Sequence, residues 1–342
     1  MRVIGRVFLW LFAVVGFFII VVATSLTTWF ILSGEEQESL PSRMVLSLDL
    51  NAGVSEVRPR SPFSILSPDK STSLRDIVAG LQKAETDDRV AGIVVRMGSS
   101  GVGITKAQEI RAAIERVRKA GKFAVAYADS FSAIPGATSE YYLASGFDEI
   151  WMQPSGEMMT TGIVIEVPFV ADALDKIGVQ ARMEQRKEFK SAPETFTRES
   201  MSAPARANLQ DLVNSWFGQL TGGIAAGRSI DAAAAQDAID SAPLLSGDAV
   251  TRKLIDKLGY WPEVAKAVKK RGGADAKLVT YANYIGEGDL PFTSGPTVAL
   301  VYGMGPIVSG DVEKSPLDEE NVFAATAVAN SISAAAKDPD VK

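Results

Sequence analysis

The 342-residue sequence contains neither cysteine nor histidine. Without thiols there is no disulfide, no thiolate nucleophile, no iron–sulfur cluster and no zinc finger. Without imidazole there is no Ser-His-Asp triad and no His-ligated metal, and nothing in the sequence calls for a metal or a cofactor. Acid–base chemistry near neutral pH therefore falls to Lys, Glu, Asp or Tyr with a shifted pKa. Basic charge is in deficit as well: 41 Asp and Glu outweigh 35 Lys and Arg, for a net charge of −6. That balance argues against nucleic acid as a partner, because neutralising phosphates needs a basic surface. Low complexity is absent too. With 46% hydrophobic and 22% charged residues, the composition is that of a folded chain of roughly two domains.

Charge is also missing locally. From Val7 to Leu32 no residue is charged, a stretch longer than the roughly 20 residues that span a bilayer. Arg2 and Arg6 precede it, and Glu35 and Glu36 follow it. The basic flank stays in the cytoplasm, so a single-pass anchor with an exported body is expected. Trp10 and Trp29 lie near the ends of the stretch, where indole rings favour the headgroup region. The rival reading is a cleaved leader, but its apolar stretch is usually about 7–15 residues. Ala23-Thr24-Ser25 is also a poor match to a small-residue cleavage site.

The remainder alternates strand and helix patterns. Strands are expected at Arg43–Leu50, Val90–Met97, Phe123–Ala128 and Glu149–Met152. Helices are expected at Leu74–Ala84 and Lys106–Ala120, with a short one beginning at Tyr141. The continuous apolar run VAGIVVRM is the pattern of a parallel strand covered on both faces. This rhythm implies an α/β fold with a parallel core. Residues 203–271 read as largely helical, with breaks near Gly222-Gly223, Pro243 and Gly259.

The C-terminal part repeats the beginning of the body. Thr297–Asp311 resembles Met44–Val57, and Ala336–Val341 echoes Glu85–Val90, both offset by about 250 residues. That is a domain-sized period rather than a solenoid one. The expected organisation is a tip and anchor over 1–34, a first domain over 35–290, and the start of a second copy over 291–342. The expectation is therefore the N-terminal part of a longer, duplicated protein with its second copy cut short.

Three stretches carry a family resemblance. The first is Phe189-Lys190-Ser191-Ala192-Pro193-Glu194-Thr195-Phe196. The second is Tyr127-Ala128-Asp129-Ser130-Phe131-Ser132, followed by Ser139-Glu140-Tyr141-Tyr142-Leu143-Ala144-Ser145. The third is Ser246-Gly247-Asp248-Ala249 with Leu254-Ile255-Asp256-Lys257-Leu258-Gly259. Together they resemble the signal peptide peptidase A (protease IV) family, peptidase family S49, in its long two-copy form. The resemblance implies a crotonase/ClpP-like fold and a Ser/Lys endopeptidase that degrades signal peptides and other small exported peptides. It also implies a homotetramer in a bacterial inner membrane, with the catalytic body on the periplasmic side and lipid contact through the N-terminal helix. No cofactor and no metal follow from it.

The resemblance makes Lys190 the general base. The chemistry agrees, since without histidine a serine is activated by a neutral amine or a carboxylate. A lysine serves if burial lowers its pKa from about 10.4 by several units. Phe189, Ala192, Pro193 and Phe196 offer apolar surroundings, while Arg186 and Lys187 read as solvated surface cations. By itself, Lys190 also reads as a solvated surface lysine. The nucleophile is harder to place. Tyr141-Tyr142 mark the family's nucleophile turn, which puts Thr138 at the nucleophile position and Ser139 and Glu140 where the family has glycines. Larger residues there obstruct backbone approach to a substrate carbonyl. The first copy therefore reads as a degenerate scaffold, its Gly98–Gly103 oxyanion-like turn as a structural loop, and the reactive serine is expected beyond Lys342. A membrane-anchored, non-catalytic crotonase-like scaffold is the alternative function. A coenzyme A-dependent hydratase on the same fold is disfavoured by the anchor and by export. Protease added outside sealed spheroplasts is expected to degrade the body; protection of the body, with the N-terminus accessible instead, contradicts the topology.

Overall fold

In the computed structural model the described residues are 10, 16–22, 24–25, 39–56, 72–132, 136–286, 295–312 and 322–342. The chain divides into two units, Met1–Leu40 and Pro41–Lys342. In the first, residues 16–22 are helical, with Phe17, Phe18, Ile19 and Ile20 exposed. Most of the expected span Val7–Leu32 lies outside the described residues. Among those described, no helix is long and apolar enough to cross a membrane.

The second unit is built on a six-stranded parallel sheet. Its strands are β1 (Met44–Asp49), β2 (Val90–Met97), β3 (Phe123–Ala128), β4 (Glu149–Met152), β5 (Lys257–Leu258) and β6 (Lys277–Thr280). They lie in the order β6-β1-β2-β3-β4-β5, and every pairing is parallel. Val45, Val94, Val125 and Tyr127 form one apolar face, closed by Val264 and Val268. These last two belong to the helix Trp261–Gly272. The alternate residues Leu46, Ile93, Val95 and Ala126 are equally buried, which is why these strands read as unbroken apolar runs. Each large aliphatic residue so buried is worth about 1.5–3 kcal/mol relative to exposure. Sequence and structure agree to within a few residues for β1–β4, and for α1 (Leu74–Thr86) and α2 (Ile104–Lys119).

Two expectations change. The short helix α3 spans Ala137–Ala144, so Thr138, Ser139 and Glu140 lie in its first turn rather than in a preceding loop. The expected break at Gly222-Gly223 does not occur. Helix α4 runs unbroken from Ala203 to Arg228 and ends at Ser229, which takes a left-handed conformation with φ 54°. Gly223 is there for closeness: a Cβ on it would lie 2.2 Å from the Tyr142 ring. The expected breaks near Pro243 and Gly259 are present, between α5 (Ala232–Asp240), β5 and α6 (Trp261–Gly272).

The two stretches that resemble each other in sequence have the following pairings. In the first occurrence Val54–Ser55 pairs in parallel with Thr72–Ser73, α1 follows, and Met44 pairs with Val90. In the second, Ile307–Val308 pairs in parallel with Phe323–Ala324, helix α7 (Ala325–Lys337) follows, and Thr297 pairs with Val341. The burial differs. Helix α1 buries Ile77, Ala79, Leu81 and Ala84, whereas α7 buries none of its residues. Val298 is 79% and Leu300 64% exposed.

One guanidinium joins the helices over the sheet. Arg111 of α2 is 7% exposed. It donates to the Tyr142 carbonyl, to Ser145 Oγ at 2.6 Å and to the Gly223 carbonyl at 2.9 Å, and it stacks 4.6 Å from the Tyr142 ring centroid. Arg111→Met keeps most of the bulk but removes the charged bonds to the Tyr142 and Gly223 carbonyls and to Ser145 Oγ. We expect a loss of about 3 kcal/mol, read as a lowered midpoint in chemical denaturation. Arg111→Lys should not restore it, because an ammonium lacks the planar fork.

Candidate active site

Because all six strands are parallel, their C-terminal ends form one edge, where open α/β sheets place their sites. The turn 98–103 leaves β2 there, residues 129–132 leave β3, and α3 begins beside them. Gly136, with φ +139°, allows this packing: a Cβ on it would lie 2.6 Å from Gly101 Cα. Asp129 accepts from the Tyr127 hydroxyl at 2.6 Å. Burial, with this bond and the Asp129 charge, pushes the Tyr127 phenol well above its ordinary value. Tyr141 is raised as well, by burial, against the opposing charge of Arg228, and it donates to the Leu254 carbonyl at 2.9 Å. Neither phenol is a base near neutral pH.

The three residues at the family's nucleophile turn are all committed elsewhere. Thr138 Oγ1 donates to the Thr161 carbonyl at 2.6 Å. Ser139 Oγ lies 2.6 Å from the Val102 carbonyl and 2.9 Å from that of Gly136. Both side chains belong to residues that are 8% exposed. Glu140 is fully buried; its Oε1 accepts from Ser100 Oγ at 2.6 Å and from the Val102 N–H at 3.3 Å. This carboxylate clips the 98–103 turn to α3 and fills space that glycine would leave open. The Ser99 N–H, a candidate oxyanion donor, is taken by Asn51 Oδ1 at 3.2 Å, and Ser99 Oγ donates to the same oxygen at 2.7 Å. A developing oxyanion would find this donor occupied. Asn51 carries no motif signal, since it lies 48 residues from Ser99.

Lys190 is on a separate segment, between the short helices Ala171–Lys176 and Glu194–Thr197. The fold does not bring it into hydrogen-bonding contact with the 98–103 turn or with Thr138–Glu140. It is exposed. The apolar surroundings expected for it do not close: Phe189 is 59% and Phe196 42% exposed. Within these residues alone nothing strips water from its amine.

What holds the segment is Glu194, which the sequence reading passed over. Glu194 is buried at 3% exposure. Its Oε1 accepts from Ser202 Oγ at 2.7 Å and its Oε2 from the Ser202 N–H at 3.0 Å. Ser202 in turn caps α4, accepting from the Ala205 N–H at 3.3 Å. The motif's glutamate thus ties the Lys190 segment to the start of the long helix. The third motif is structural as well. Asp256 accepts from the Ile150 N–H at 2.7 Å and pairs with Arg228 at 2.6 Å.

Comparison with known proteins gives these features a family. Residues 116–275 match the sequence profile described as Peptidase family S49. The chain is similar to Protease 4 of Salmonella typhi, with 28% identity over 355 residues, covering 95% of this chain and 54% of that protein. It is 31% identical over 196 residues to Protease 4 of Haemophilus influenzae, covering 55% of this chain and 30% of that protein. The chain thus spans about half the length of the first of these relatives. Among solved structures it is similar to a membrane-bound stomatin-specific protease, at 12% identity, 70% coverage of this chain, 98% of that one, and a TM-score of 0.37.

The two hydrogen bonds from Ser202 hold the Glu194 carboxyl below its ordinary value of 4.5. A lowered carboxyl pKa stabilises above that value, and the contribution is lost as pH falls through the lowered one. Protection from hydrogen exchange over residues 188–204, relative to the intrinsic rate at each pH, should accordingly fall below about pH 4.5, and in Glu194→Gln it should be low already at pH 7. Unchanged exchange in Glu194→Gln would show that the tie is not made in solution.

Proposed function

Since this chain belongs to peptidase family S49, we propose that it forms the base-bearing part of a membrane-anchored serine endopeptidase. Its substrates are signal peptides and other small exported peptides, and Lys190 is the general base. The body adopts a crotonase-like fold, with residues 35–290 as its first domain and 291–342 as the beginning of a second. The anchor over 1–34 holds it to the outer face of a bacterial inner membrane as a homotetramer. The observation that carries this reading is the contrast at the two motif positions. Thr138 and Ser139 spend their hydroxyls on backbone carbonyls, whereas Lys190 stands exposed on the most specific motif. The nucleophile is then a serine supplied by a second crotonase-like unit.

The chemistry follows from a neutral amine. Lys190 Nζ takes the proton of the serine hydroxyl as its oxygen adds to the scissile carbonyl. The resulting ammonium returns that proton to the leaving amine, the C–N bond breaks, and an acyl-enzyme remains. Water, deprotonated by the same amine, then hydrolyses the ester. A lysine serves as a base only once water is stripped from its amine, so the unit that brings the serine must also cover Lys190. Phe189 and Phe196, on either side of it, are the apolar surface such a cover would meet.

A non-catalytic scaffold remains the second reading, favoured by the closed turn at 98–103, where Asn51 and Glu140 occupy the donors. Turnover separates the two. In the protein as the cell makes it, Lys190→Ala and Lys190→Arg should each lower kcat at least about a hundredfold, because a guanidinium cannot accept the proton. Lys187→Ala should keep activity, and a fluorophosphonate probe should label neither Thr138 nor Ser139. Near-normal turnover in Lys190→Arg, or labelling at Ser139, would sink the assignment; no peptidase activity in the wild type would favour the scaffold.

A further inference from the structure

The opposite edge of the sheet, where the six parallel strands begin, carries the reverse of the chain's overall charge. Helix α6 ends there in Lys269, Lys270 and Arg271, and α2 ends there in Lys119. Contacts join them to the strand starts. Arg43 Nε donates to the Gly272 carbonyl at 2.9 Å, the Lys277 N–H donates to the Arg43 carbonyl at 3.1 Å, and the Arg271 guanidinium lies 4.5 Å from the Phe123 ring centroid. Arg43, Lys119, Lys269, Lys270, Arg271 and Lys277 are all exposed. Among the described residues no carboxylate pairs with Lys119, Lys269, Lys270 or Lys277. Asp88 and Asp275 are exposed on the same edge, while Glu85 and Asp148 are engaged by Arg116 and Arg118, and Glu149 by Lys257 and Arg271. Placing cations at helix C-termini also favours the helices themselves. That explains Lys119 and Lys269–Arg271, but not the cations at the strand starts.

We propose that this edge is a docking face for anionic phospholipid headgroups. The partner follows from charge and from chain length. On a chain of net charge −6, an anionic bilayer repels the body as a whole, and this concentrated positive edge is the part it attracts. Such attraction acts within a Debye length of about 10 Å. The body's first strand begins on this edge at Met44, after a connector that leaves the uncharged stretch at Leu32. Those residues reach at most roughly 40 Å when fully extended. The inference rests on the anchored reading: if the stretch is in the bilayer, this edge is tethered close to it. Headgroup contact would then set the orientation of the body, turning the opposite, C-terminal edge away from the membrane.

The test uses the full chain reconstituted into vesicles of phosphatidylcholine alone, or with about 30% phosphatidylglycerol. Lysines are mapped with an amine-acylating reagent and mass spectrometry. Lys269, Lys270 and Lys277 should react at least about threefold more slowly in the anionic vesicles at low salt, and the difference should vanish near 0.5 M salt. Lys187 should react alike in both. The variant Lys269→Glu/Lys270→Glu/Lys277→Glu should also lose the protection of Lys119, and as these side chains are exposed it should still fold. Equal reactivity in the two lipids, with the chain retained after alkaline extraction, overturns the docking face and leaves the anchor standing. Protection in both lipids overturns it too, since a cover from the chain's own acidic connector does not need anionic lipid. Release by alkaline extraction overturns the anchor and the docking face together.

Discussion

The packing of helices over this sheet depends on one buried guanidinium. Arg111 reaches from α2 to the end of α3 and to the last turns of α4, satisfying carbonyls of Tyr142 and Gly223 and the Ser145 hydroxyl. A cation taken out of water is tolerable only where several acceptors replace its hydration, so these helices must meet at this point. Gly223 follows from that constraint, because α4 can approach Tyr142 only without a Cβ. The start of α3 is then held beside the 98–103 turn, and the start of α4 beside the Lys190 segment. The Arg111 hub thus fixes the helices around α3, while the Glu194–Ser202 tie fixes the Lys190 segment.

The two edges of the sheet have different chemistry because the strands are parallel. At the C-terminal edge Asn51, Thr138, Ser139 and Glu140 close a turn that the family resemblance would have left open. Their bonds run to backbone groups and to the Ser99 and Ser100 hydroxyls, which occupy the turn rather than leave it open to substrate. Beyond it, Lys190 stays in water and keeps company with exposed Phe189 and Phe196. A base that needs desolvation and lies next to apolar surface is completed by whatever buries that surface. At the N-terminal edge α2 and α6 end in cations that favour their C-termini, and the strand starts add Arg43 and Lys277.

Much of the fold was legible in the residues. The unbroken apolar strands Val90–Met97 and Phe123–Ala128 stand in the structure as read, since a strand buried on both faces leaves its mark at every position. In the two stretches read as similar, Met44 pairs with Val90 and Thr297 with Val341. Reading Gly222-Gly223 as a break failed because glycine serves two ends, freeing the backbone or admitting a neighbour, and a sequence does not distinguish them. The start of α3 was misplaced for a related reason: Thr138 and Ser139 are weak helix formers by propensity, and their bonds to Thr161, Val102 and Gly136 hold the helical turn.

From the sequence alone came the exclusion of imidazole and thiol chemistry, the parallel α/β core, and the family motif around Lys190. Composition and hydrophobic period are properties of the chain itself and need no partner. The tertiary structure decided what each motif residue touches. It gave Glu194 to Ser202, Asp256 to Arg228, Asn51 to Ser99, and left Lys190 exposed. Those outcomes rest on contacts between residues far apart in the chain, whose distances and burial arise only when the sheet and its helices assemble.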